Sequence, residues 1–217
     1  MNSKEFIARR IAKELKDGDI VNLGIGLPTM VANYVPKDIE VTFQSENGFL
    51  GLGPAPEEGK EDKDLTNAGG QPVTMINGGC YFDSAVSFAI IRGGHVDITV
   101  LGALQVDGHG SIANWMIPNK LIPGMGGAMD LVAGAKKVVV ATEHCTKKGE
   151  PKILKECIYP LTGAKVVDVI VTELAYIAVT DKGLVLREIA PDVTIEEVVN
   201  KTDADLIIPD DVKVMDV

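Results

Sequence analysis

A nearly continuous apolar run over residues 96–106 constrains the fold of this chain more than any other segment. A strand with one face in water alternates apolar and polar side chains, whereas a strand covered on both faces is apolar throughout. The run therefore predicts a central strand of a largely parallel sheet. Apolar segments at 19–23, 137–141 and 166–171, separated by helical patterns, indicate further strands of that sheet. We therefore expect an α/β fold.

Helix start signals lie between these predicted strands. Asn2 precedes an apolar helical stripe and suits an N-cap. Asp83 or Ser84 can cap a second helix in the same way. Residues 194–197, Thr-Ile-Glu-Glu, form a capping box that predicts a final helix. Each signal predicts where a helix begins.

The C-terminal third favours consecutive strands. Strands predicted at 176–180 and 184–189 have no helix between them, so this part of the sheet is expected to be antiparallel. A further short strand is predicted at 112–117. The Gly- and Pro-rich acidic stretch 51–72 is interpreted as an exposed excursion, because core-like sequence resumes after it. We expect residues 1–217 to form a single domain.

Charge and composition exclude several classes of function. With 21 basic and 31 acidic residues the formal net charge is −10, and no basic stripe follows a nucleic-acid backbone, so nucleic acid is not an expected partner. No apolar run approaches the roughly 20 residues that span a bilayer. Residues 1–6 lack the apolar core of a signal peptide, so a cytoplasmic protein is expected. Cys80, Cys145 and Cys157 lack metal-type spacing, which favours free thiols and no metal site.

A first candidate site is the glycine pair Gly24-x-Gly26, between a predicted strand and a predicted helix. A dinucleotide-binding fingerprint occupies that position in many α/β folds, and Glu46 has nearly the spacing of its ribose-binding acid. Thr29 stands where the third glycine of the fingerprint belongs. A simple tight turn therefore explains the pair at least as well as a nucleotide site does.

A second candidate is Glu46, in the turn Ser-Glu-Asn-Gly at residues 45–48, directly after a strand predicted at 39–43. The carboxyl end of a parallel strand is the usual place for a site in an α/β fold. Gly48 is expected to leave room for a bulky ligand beside the carboxylate. The plainer alternative is that Glu46 is only a polar turn residue.

A third candidate is the glycine-rich segment 124–130, Gly-Met-Gly-Gly-Ala-Met-Asp, which opens a predicted helix. Backbone N–H groups without side chains in the way, at Gly126 and Gly127, suit a developing oxyanion. Alternatively, these two glycines only allow the helix to pack closely on the sheet. Arg92 and His95 are candidate substrate contacts, although a basic residue at a helix C-terminus is a sufficient explanation.

The segment around Glu46 resembles the active-site signature of the family I (3-oxoacid type) coenzyme A transferases. The resemblance is greatest to B (beta) subunits of the bacterial acetate/butyrate–acetoacetate type, with 3-oxoadipate transferases somewhat less similar. Other segments that resemble the family, in family order, lie at residues 22–29, 67–69, 91–97, 113–116, 124–130 and 160–163. They are spread over most of the chain, so the resemblance is specific.

The resemblance implies a three-layer α/β/α domain in which Glu46 is the nucleophile and donors near Gly127 stabilise oxyanions. It implies ping-pong transfer of CoA between a short-chain acyl-CoA and an acid such as acetoacetate, acetate or butyrate. Coenzyme A is then a substrate, and no resident cofactor is expected. It also implies a partner, an A (alpha) subunit, in a heterotetramer or larger hetero-oligomer.

Two other functions remain open on the sequence. In a sugar-phosphate isomerase or deaminase of the same fold, Glu46 would act as a general base beside a phosphate pocket. In a non-catalytic binding domain, Glu46 would make only a polar contact. Only a transferase is expected to acquire covalently attached CoA.

Overall fold

The strand that begins the apolar run lies near the middle of a large sheet. The computed structural model describes residues 1–120, 122 and 124–217. Within these residues the helices are α1 (Ser3–Ala12), α2 (Ser84–Arg92), α3 (Ala128–Gly134) and α4 (Ile195–Lys201), with a 3-10 helix over Leu27–Tyr34. The strands are β1 (Ile20–Leu23), β2 (Thr42–Ser45), β3 (Phe49–Leu52), β4 (Met75–Tyr81), β5 (Ile98–Leu101), β6 (Gln105–Asp107), β7 (Ile112–Ala113), β8 (Lys137–Ala141), β9 (Ile153–Leu154), β10 (Val169–Val171), β11 (Ala175–Thr180), β12 (Gly183–Ile189), β13 (Leu206–Ile207) and β14 (Lys213–Val214).

In the described part of the chain, eleven of these strands form one sheet, in the order β13-β12-β11-β10-β8-β5-β1-β2-β3-β4, with β14 also paired to β12. The five central strands, β10 to β2, are mutually parallel. Hairpins flank them on both sides, because β10-β11-β12 and β2-β3-β4 are antiparallel. The predicted α/β fold with a largely parallel sheet and a C-terminal antiparallel part is therefore confirmed.

The sheet is covered on both faces, which explains why its central strands are apolar throughout. On β8, Val138 and Val140 belong to one buried cluster, whereas Val139 belongs to the other. The first cluster includes side chains of α2, α3 and α4, and the second includes side chains of α1 and the 3-10 helix. Alternating side chains of one strand thus enter two cores, as expected for the middle layer of three.

The prediction of one strand over residues 96–106 was wrong in extent. The strand β5 ends at Leu101, and β6 belongs to a separate three-stranded sheet, β7-β6-β9. Both halves of the run are buried, at Val100 and Val106 for example, so hydrophobicity alone does not reveal the break between them. The break matters for function, because residues 101–104 turn along the carboxyl edge of the sheet and line a cleft there.

Other boundaries also differ from the sequence prediction. The strand expected at 39–43 pairs with its neighbour over Thr42–Ser45, and the one expected at 112–117 extends only over Ile112–Ala113. The strand β4 was not predicted, since it is an exposed sheet edge with two consecutive glycines and no apolar alternation. Tertiary pairing with β3 determines β4, and such pairing overrides local strand propensity.

The helix caps agree with the sequence. The side chains of Asn2, Asp83 and Thr194 accept hydrogen bonds from the backbone N–H groups three residues later, at 2.9, 2.9 and 3.1 Å. Within the described residues, no helix combines the length and apolar character needed to cross a bilayer. The three cysteines are free thiols, as predicted.

Candidate active site

A cleft of about 750 Å³ opens at the carboxyl edge of the parallel strands. Its walls come from the loop after β1, the β2–β3 hairpin, the segment after β5, the loop before α3, and two parts of the excursion, residues 53–55 and 67–73. Because parallel strands end at a common edge, their loops meet there although they are far apart in sequence. The cleft thus brings the three candidate elements of the sequence together.

Glu46 and Gly127 face each other across this cleft. The backbone N–H of Gly127 donates a hydrogen bond of 3.2 Å to Oε1 of Glu46, over a separation of 81 residues. A Cβ placed on Gly127 would lie 2.3 Å from Oε2 of Glu46, so a side chain here would displace the carboxylate from its present position. Gly126 also lies beside the carboxylate of Glu46, since a Cβ on Gly126 would lie 3.6 Å from Oε1. The alternative that these glycines only serve helix packing does not account for this contact.

The surroundings of Glu46 favour its neutral form more than water does. Partial burial raises the pKa of Glu46, the N–H of Gly127 opposes that rise, and the charge of Asp130 adds to it. A carboxylate with a raised pKa is less solvated and more basic, which makes it a stronger nucleophile once it is ionised. Glu46 is thus an ionisable group in a partly dehydrated position.

The turn that carries Glu46 is tied to its surroundings on several sides. The N–H of Gly48 donates to the carbonyl of Ser45 at 3.0 Å, which closes the turn. Asn47 donates through its side chain to the carbonyl of Thr66 at 2.7 Å. The predicted reason for Gly48 was wrong: a Cβ there would lie 2.3 Å from the carbonyl oxygen of Phe82, and φ is +129°. The close approach of the backbone at Gly48 to that of Phe82 therefore explains the glycine at this position.

The glycine pair Gly24-x-Gly26 lies beside the same cleft. The N–H of Gly24 donates to the carbonyl of Val100 at 2.8 Å, and a Cβ at Gly24 would lie 3.1 Å from that oxygen. Gly26 has φ of +89° and precedes the 3-10 helix, which begins with Leu27 and Pro28. A tight turn and close strand packing therefore account for both glycines.

Arg92 and His95 do not line the cleft in the described part of the chain. Arg92 ends α2, where its Nε donates to Oδ1 of Asp130 at 2.6 Å and its guanidinium lies over the ring of Phe88. The N–H of His95 donates to the carbonyl of Ile90 at the end of the same helix. Their positions support the simpler explanation, a basic residue at a helix C-terminus.

Sequence reasoning missed two parts of the site. The excursion was interpreted as merely exposed, but residues 67–69 form part of the cleft wall. Three buried polar side chains are connected by hydrogen bonds to the backbone of Glu46, those of Asn22, Gln44 and Ser87. The sequence analysis did not identify them as functional. A polar residue in an otherwise apolar strand, such as Asn22 in Ile-Val-Asn-Leu, is the signal that would have indicated them.

Glu46 carries the charge of the cleft lining in the described part of the chain. Among the lining residues that the structure describes, Glu46 is the only charged one, and none is Lys, Arg or His. Within the residues that the structure describes, no group of three or more His, Cys, Asp or Glu side chains is placed to hold a metal ion. The described lining thus offers a carboxylate and backbone donors, with no cation beside them.

A carboxylate facing a backbone donor in a partly closed cleft is suited to attack on an acyl group. Comparison with known proteins identifies the family. The chain belongs to the coenzyme A transferase family, whose model matches residues 4–201.

Individual members of the family are similar along the whole chain. The chain is 58% identical over 217 residues to the beta subunit of the acetate CoA-transferase of Haemophilus influenzae, covering 100% of this chain and 97% of that protein. It is 54% identical over 202 residues to the B subunit of the succinyl-CoA:3-ketoacid coenzyme A transferase of Helicobacter pylori (strain ATCC 700392 / 26695), covering 93% and 97%. The acyl-CoA transferase YdiF of Escherichia coli O157:H7, solved as a thioester complex with CoA, shares the fold with a TM-score of 0.78 at 22% identity. That likeness covers 100% of this chain, which spans 43% of the YdiF chain.

Proposed function

We propose that this chain is the glutamate-bearing subunit of an enzyme that moves CoA between a short-chain acyl-CoA and a carboxylic acid, with Glu46 as nucleophile. The observation that carries the proposal is the contact between the Glu46 carboxylate and the Gly127 N–H in a cleft without other charged lining among the described residues. Membership of the coenzyme A transferase family supports it. In the proposed chemistry the carboxylate of Glu46 is the reacting group of the enzyme, and CoA is a substrate.

The first half-reaction has two steps. A carboxylate oxygen of Glu46 attacks the thioester carbonyl carbon, the C–S bond breaks, and CoA leaves as a thiolate from a mixed anhydride. The thiolate then attacks the glutamyl carbonyl carbon, the C–O bond of the anhydride breaks, and the first acid leaves as its carboxylate. Glu46 is now a thioester of CoA, and neither step needs a proton donor or an oxidant.

The second half-reaction reverses this order with another acid. Its carboxylate attacks the glutamyl thioester, releases the CoA thiolate and forms a new mixed anhydride on Glu46. The thiolate attacks the acyl carbonyl of that anhydride, which yields the new acyl-CoA and restores the carboxylate of Glu46. The acyl-CoA donor thus reacts before the acceptor acid binds, and this order gives ping-pong kinetics.

Gly126 and Gly127 are proposed as the oxyanion side of the site. Every step passes through a tetrahedral intermediate with a negative oxygen, and a lost oxyanion donor typically costs about 3 kcal/mol of barrier. The N–H of Gly127 already faces the carboxylate at 3.2 Å, so it meets an oxygen that becomes the glutamyl oxyanion. The excursion segments beside Glu46 help to exclude water, which would hydrolyse both covalent intermediates.

Monocarboxylic acids are the proposed substrates, with acetate, butyrate and acetoacetate as candidates. A second carboxylate, as in succinate or 3-oxoadipate, needs a cationic partner when it is buried. The described lining contributed by this chain offers no Lys, Arg or His for that purpose, so such a cation would have to come from the partner subunit. The same observation argues against a sugar-phosphate site in this chain, because a phosphate would have the N-terminus of α3 but no cation among the described lining residues.

An A (alpha) partner is proposed to complete the site. CoA carries several phosphate charges, whereas this chain has a net charge of −10. Lys136 and Lys137, in the one locally basic stretch of the sequence, are already paired with Asp97 and Glu14. The relatives are themselves named as beta or B subunits, which supports such a partner. We propose a heterotetramer or larger hetero-oligomer, located in the cytoplasm.

The nucleophile is tested on the complete enzyme, assembled with its alpha partner. Glu46→Gln is expected to abolish transfer, and Glu46→Asp is expected to be severely impaired because small misplacements are costly in catalysis. Acyl-CoA supplied without acceptor acid is expected to add the mass of CoA to the peptide that contains residues 44–51. Near-wild-type transfer by the Gln variant, or a label on a cysteine peptide, would contradict the assignment.

The proposed assembly has its own test. The chain purified alone is expected to show no CoA exchange with acetoacetate or butyrate, and activity is expected to appear when the alpha partner is added. Full activity of the isolated chain, at a mass that excludes a second polypeptide, would overturn the proposed assembly while leaving the role of Glu46 intact.

A further inference from the structure

Three buried side chains form a continuous line of hydrogen bonds that ends on the backbone of Glu46. The side-chain amide of Asn22 donates to Oε1 of Gln44 at 2.6 Å. The side-chain amide of Gln44 donates to Oγ of Ser87 at 3.0 Å. The hydroxyl of Ser87 donates to the carbonyl oxygen of Glu46 at 2.7 Å. We call these three residues, Asn22, Gln44 and Ser87, the buried relay.

The direction of every bond in the buried relay follows from its last acceptor. A carbonyl oxygen accepts only, so the hydroxyl hydrogen of Ser87 points to Glu46. The oxygen of Ser87 must then accept from the amide N–H of Gln44, which leaves the amide oxygen of Gln44 to accept from Asn22. Asn22, Gln44 and Ser87 are 4%, 3% and 0% exposed, and Asn22 and Gln44 also contribute to the cleft wall. The bonds along this line therefore have one direction, and a buried network of this kind rigidifies the groups that it joins.

The buried relay and Gly127 hold Glu46 at opposite ends of the residue. Ser87 lies on α2 and binds the Glu46 carbonyl, while Gly127 immediately precedes α3 and binds the carboxylate. The two helices approach closely, since a Cβ on Gly134 of α3 would lie 2.2 Å from the carbonyl oxygen of Ile91 on α2. Both anchors of Glu46 therefore belong to one closely packed helix pair.

We propose that Ser87 and Gln44 are positioning residues for the CoA-transfer reaction, which keep the carboxylate of Glu46 aligned with the oxyanion donor. This inference rests on the proposed function of Glu46. A turn residue held only by its strand neighbours has freedom to shift, and a displacement of about 1 Å can cost about a hundredfold in rate. Gln44 acts through Ser87, and Ser87 acts through the backbone of Glu46.

The test measures kcat, KM and the single-turnover rate of glutamyl-CoA formation in the complete enzyme with its alpha partner. Ser87→Ala is expected to lower kcat and the single-turnover rate by about ten- to a hundredfold, with KM for acyl-CoA changed by less than about threefold. Gln44→Met is expected to lower kcat by less, because the Ser87 hydroxyl can still reach Glu46. The double variant is expected to match Ser87→Ala within about twofold, since the two residues act in series.

Thr99→Val is the matched control. Thr99 lies on β5 opposite Asn22 of β1 and is 0% exposed, and its hydroxyl is without a hydrogen-bond partner among the described residues. Removing this hydroxyl takes a buried polar group away, as Ser87→Ala does, without breaking a bond to Glu46. It is expected to leave kcat unchanged and the melting temperature equal or higher.

Four outcomes would overturn the inference. Wild-type kcat in folded Ser87→Ala, with only a lower melting temperature, would make the bond purely structural and overturn the inference. Independent, multiplicative losses in the double variant would also overturn it. If Ser87→Ala does not fold, the inference is tested by Gln44→Met alone. An unchanged single-turnover rate in that variant would show that Gln44 does not act on Glu46 through Ser87. Glu46→Gln in the same assay separates the two proposals: activity of that variant overturns both, whereas its inactivity beside a fully active Ser87→Ala overturns the buried relay only.

Discussion

Oε1 of Glu46 lies 3.2 Å from the backbone nitrogen of Gly127, a residue 81 positions further along the chain. The contact joins the turn after β2 to the loop before α3, and in the sheet β1 and β5 lie between β2 and β8, the strand that follows α3. It provides a backbone donor for an oxygen that gains negative charge during acyl transfer.

Gly127→Ala is expected to lower kcat by about a hundredfold or more, since its Cβ would displace the carboxylate from the donor. The ideal Cβ lies 2.3 Å from Oε2 of Glu46, so one of the two groups must move. Steady-state kinetics of the complete enzyme check this. Gly108→Ala is the control, because its Cβ makes contacts of 3.6 Å or longer and lies outside the cleft. Equal activity of both variants would contradict the arrangement.

The acid limb of the pH–rate profile is expected to report Glu46, whose pKa is raised by burial and by the charge of Asp130. The nucleophile must be ionised, so kcat/KM falls as pH falls through this raised pKa. Asp130→Asn is expected to move the limb to lower pH. Arg92→Gln removes the cation paired with Asp130 at 2.6 Å and is expected to move it to higher pH. Shifts of the same sign in both variants would contradict the electrostatic account.

Glu46→Gln is expected to fold at least as stably as the wild type at pH 8. The raised pKa of Glu46 means that the folded state binds its proton more tightly than the unfolded state does. Ionised Glu46 therefore opposes folding above that pKa, and the amide of Gln removes this cost. Urea denaturation at pH 8 and pH 4 measures the effect, and the advantage of the variant is expected to shrink at pH 4. A loss of stability at pH 8 would show that the carboxylate contributes to the fold.

Arg10→Met is expected to lower the free energy of unfolding by about 3 kcal/mol, because it leaves the largely buried carboxylate of Glu188 without its partner. Arg10 is 8% exposed, donates to both Glu188 oxygens at 2.7 and 2.8 Å, and donates to Glu14 at 2.8 Å. Arg9→Met on the same helix is the control. The Arg9 pair with Glu5 is more exposed, so its loss is expected to cost about 1 kcal/mol or less. Equal losses in denaturant titrations would refute the distinction.

His144 is expected to make stability fall between pH 6.5 and pH 4. Burial, with a smaller effect of Lys201, lowers the pKa of His144 from 6.5 to about 4. The unfolded chain takes up this proton first, so the contribution is complete above pH 6.5 and is lost as pH falls towards 4, up to about 3 kcal/mol. His144→Gln is expected to lack this component. Parallel pH profiles of stability for the wild type and for His144→Gln would contradict this role of His144.

Local chemistry made much of the fold predictable. The caps at Asn2, Asp83 and Thr194 bond to groups three residues away, so a short window of sequence contains both partners. The turn around Glu46 closes between Ser45 and Gly48 in the same way. The resemblance to the coenzyme A transferases made Glu46, Gly126 and Gly127 a candidate set before the structure placed them together.

Long-range contacts decided the remainder. The sequence determined the α/β pattern, the helix starts and the turn that carries the carboxylate, because their stabilising bonds span a few residues. Only the tertiary structure separated β5 from β6, paired the exposed strand β4, and set Ser87 against Glu46 over 41 residues. A buried serine and an exposed glycine-rich strand have no local periodicity to reveal them. Their roles arise when the sheet brings distant loops to one edge, where the partners of each polar group are finally defined.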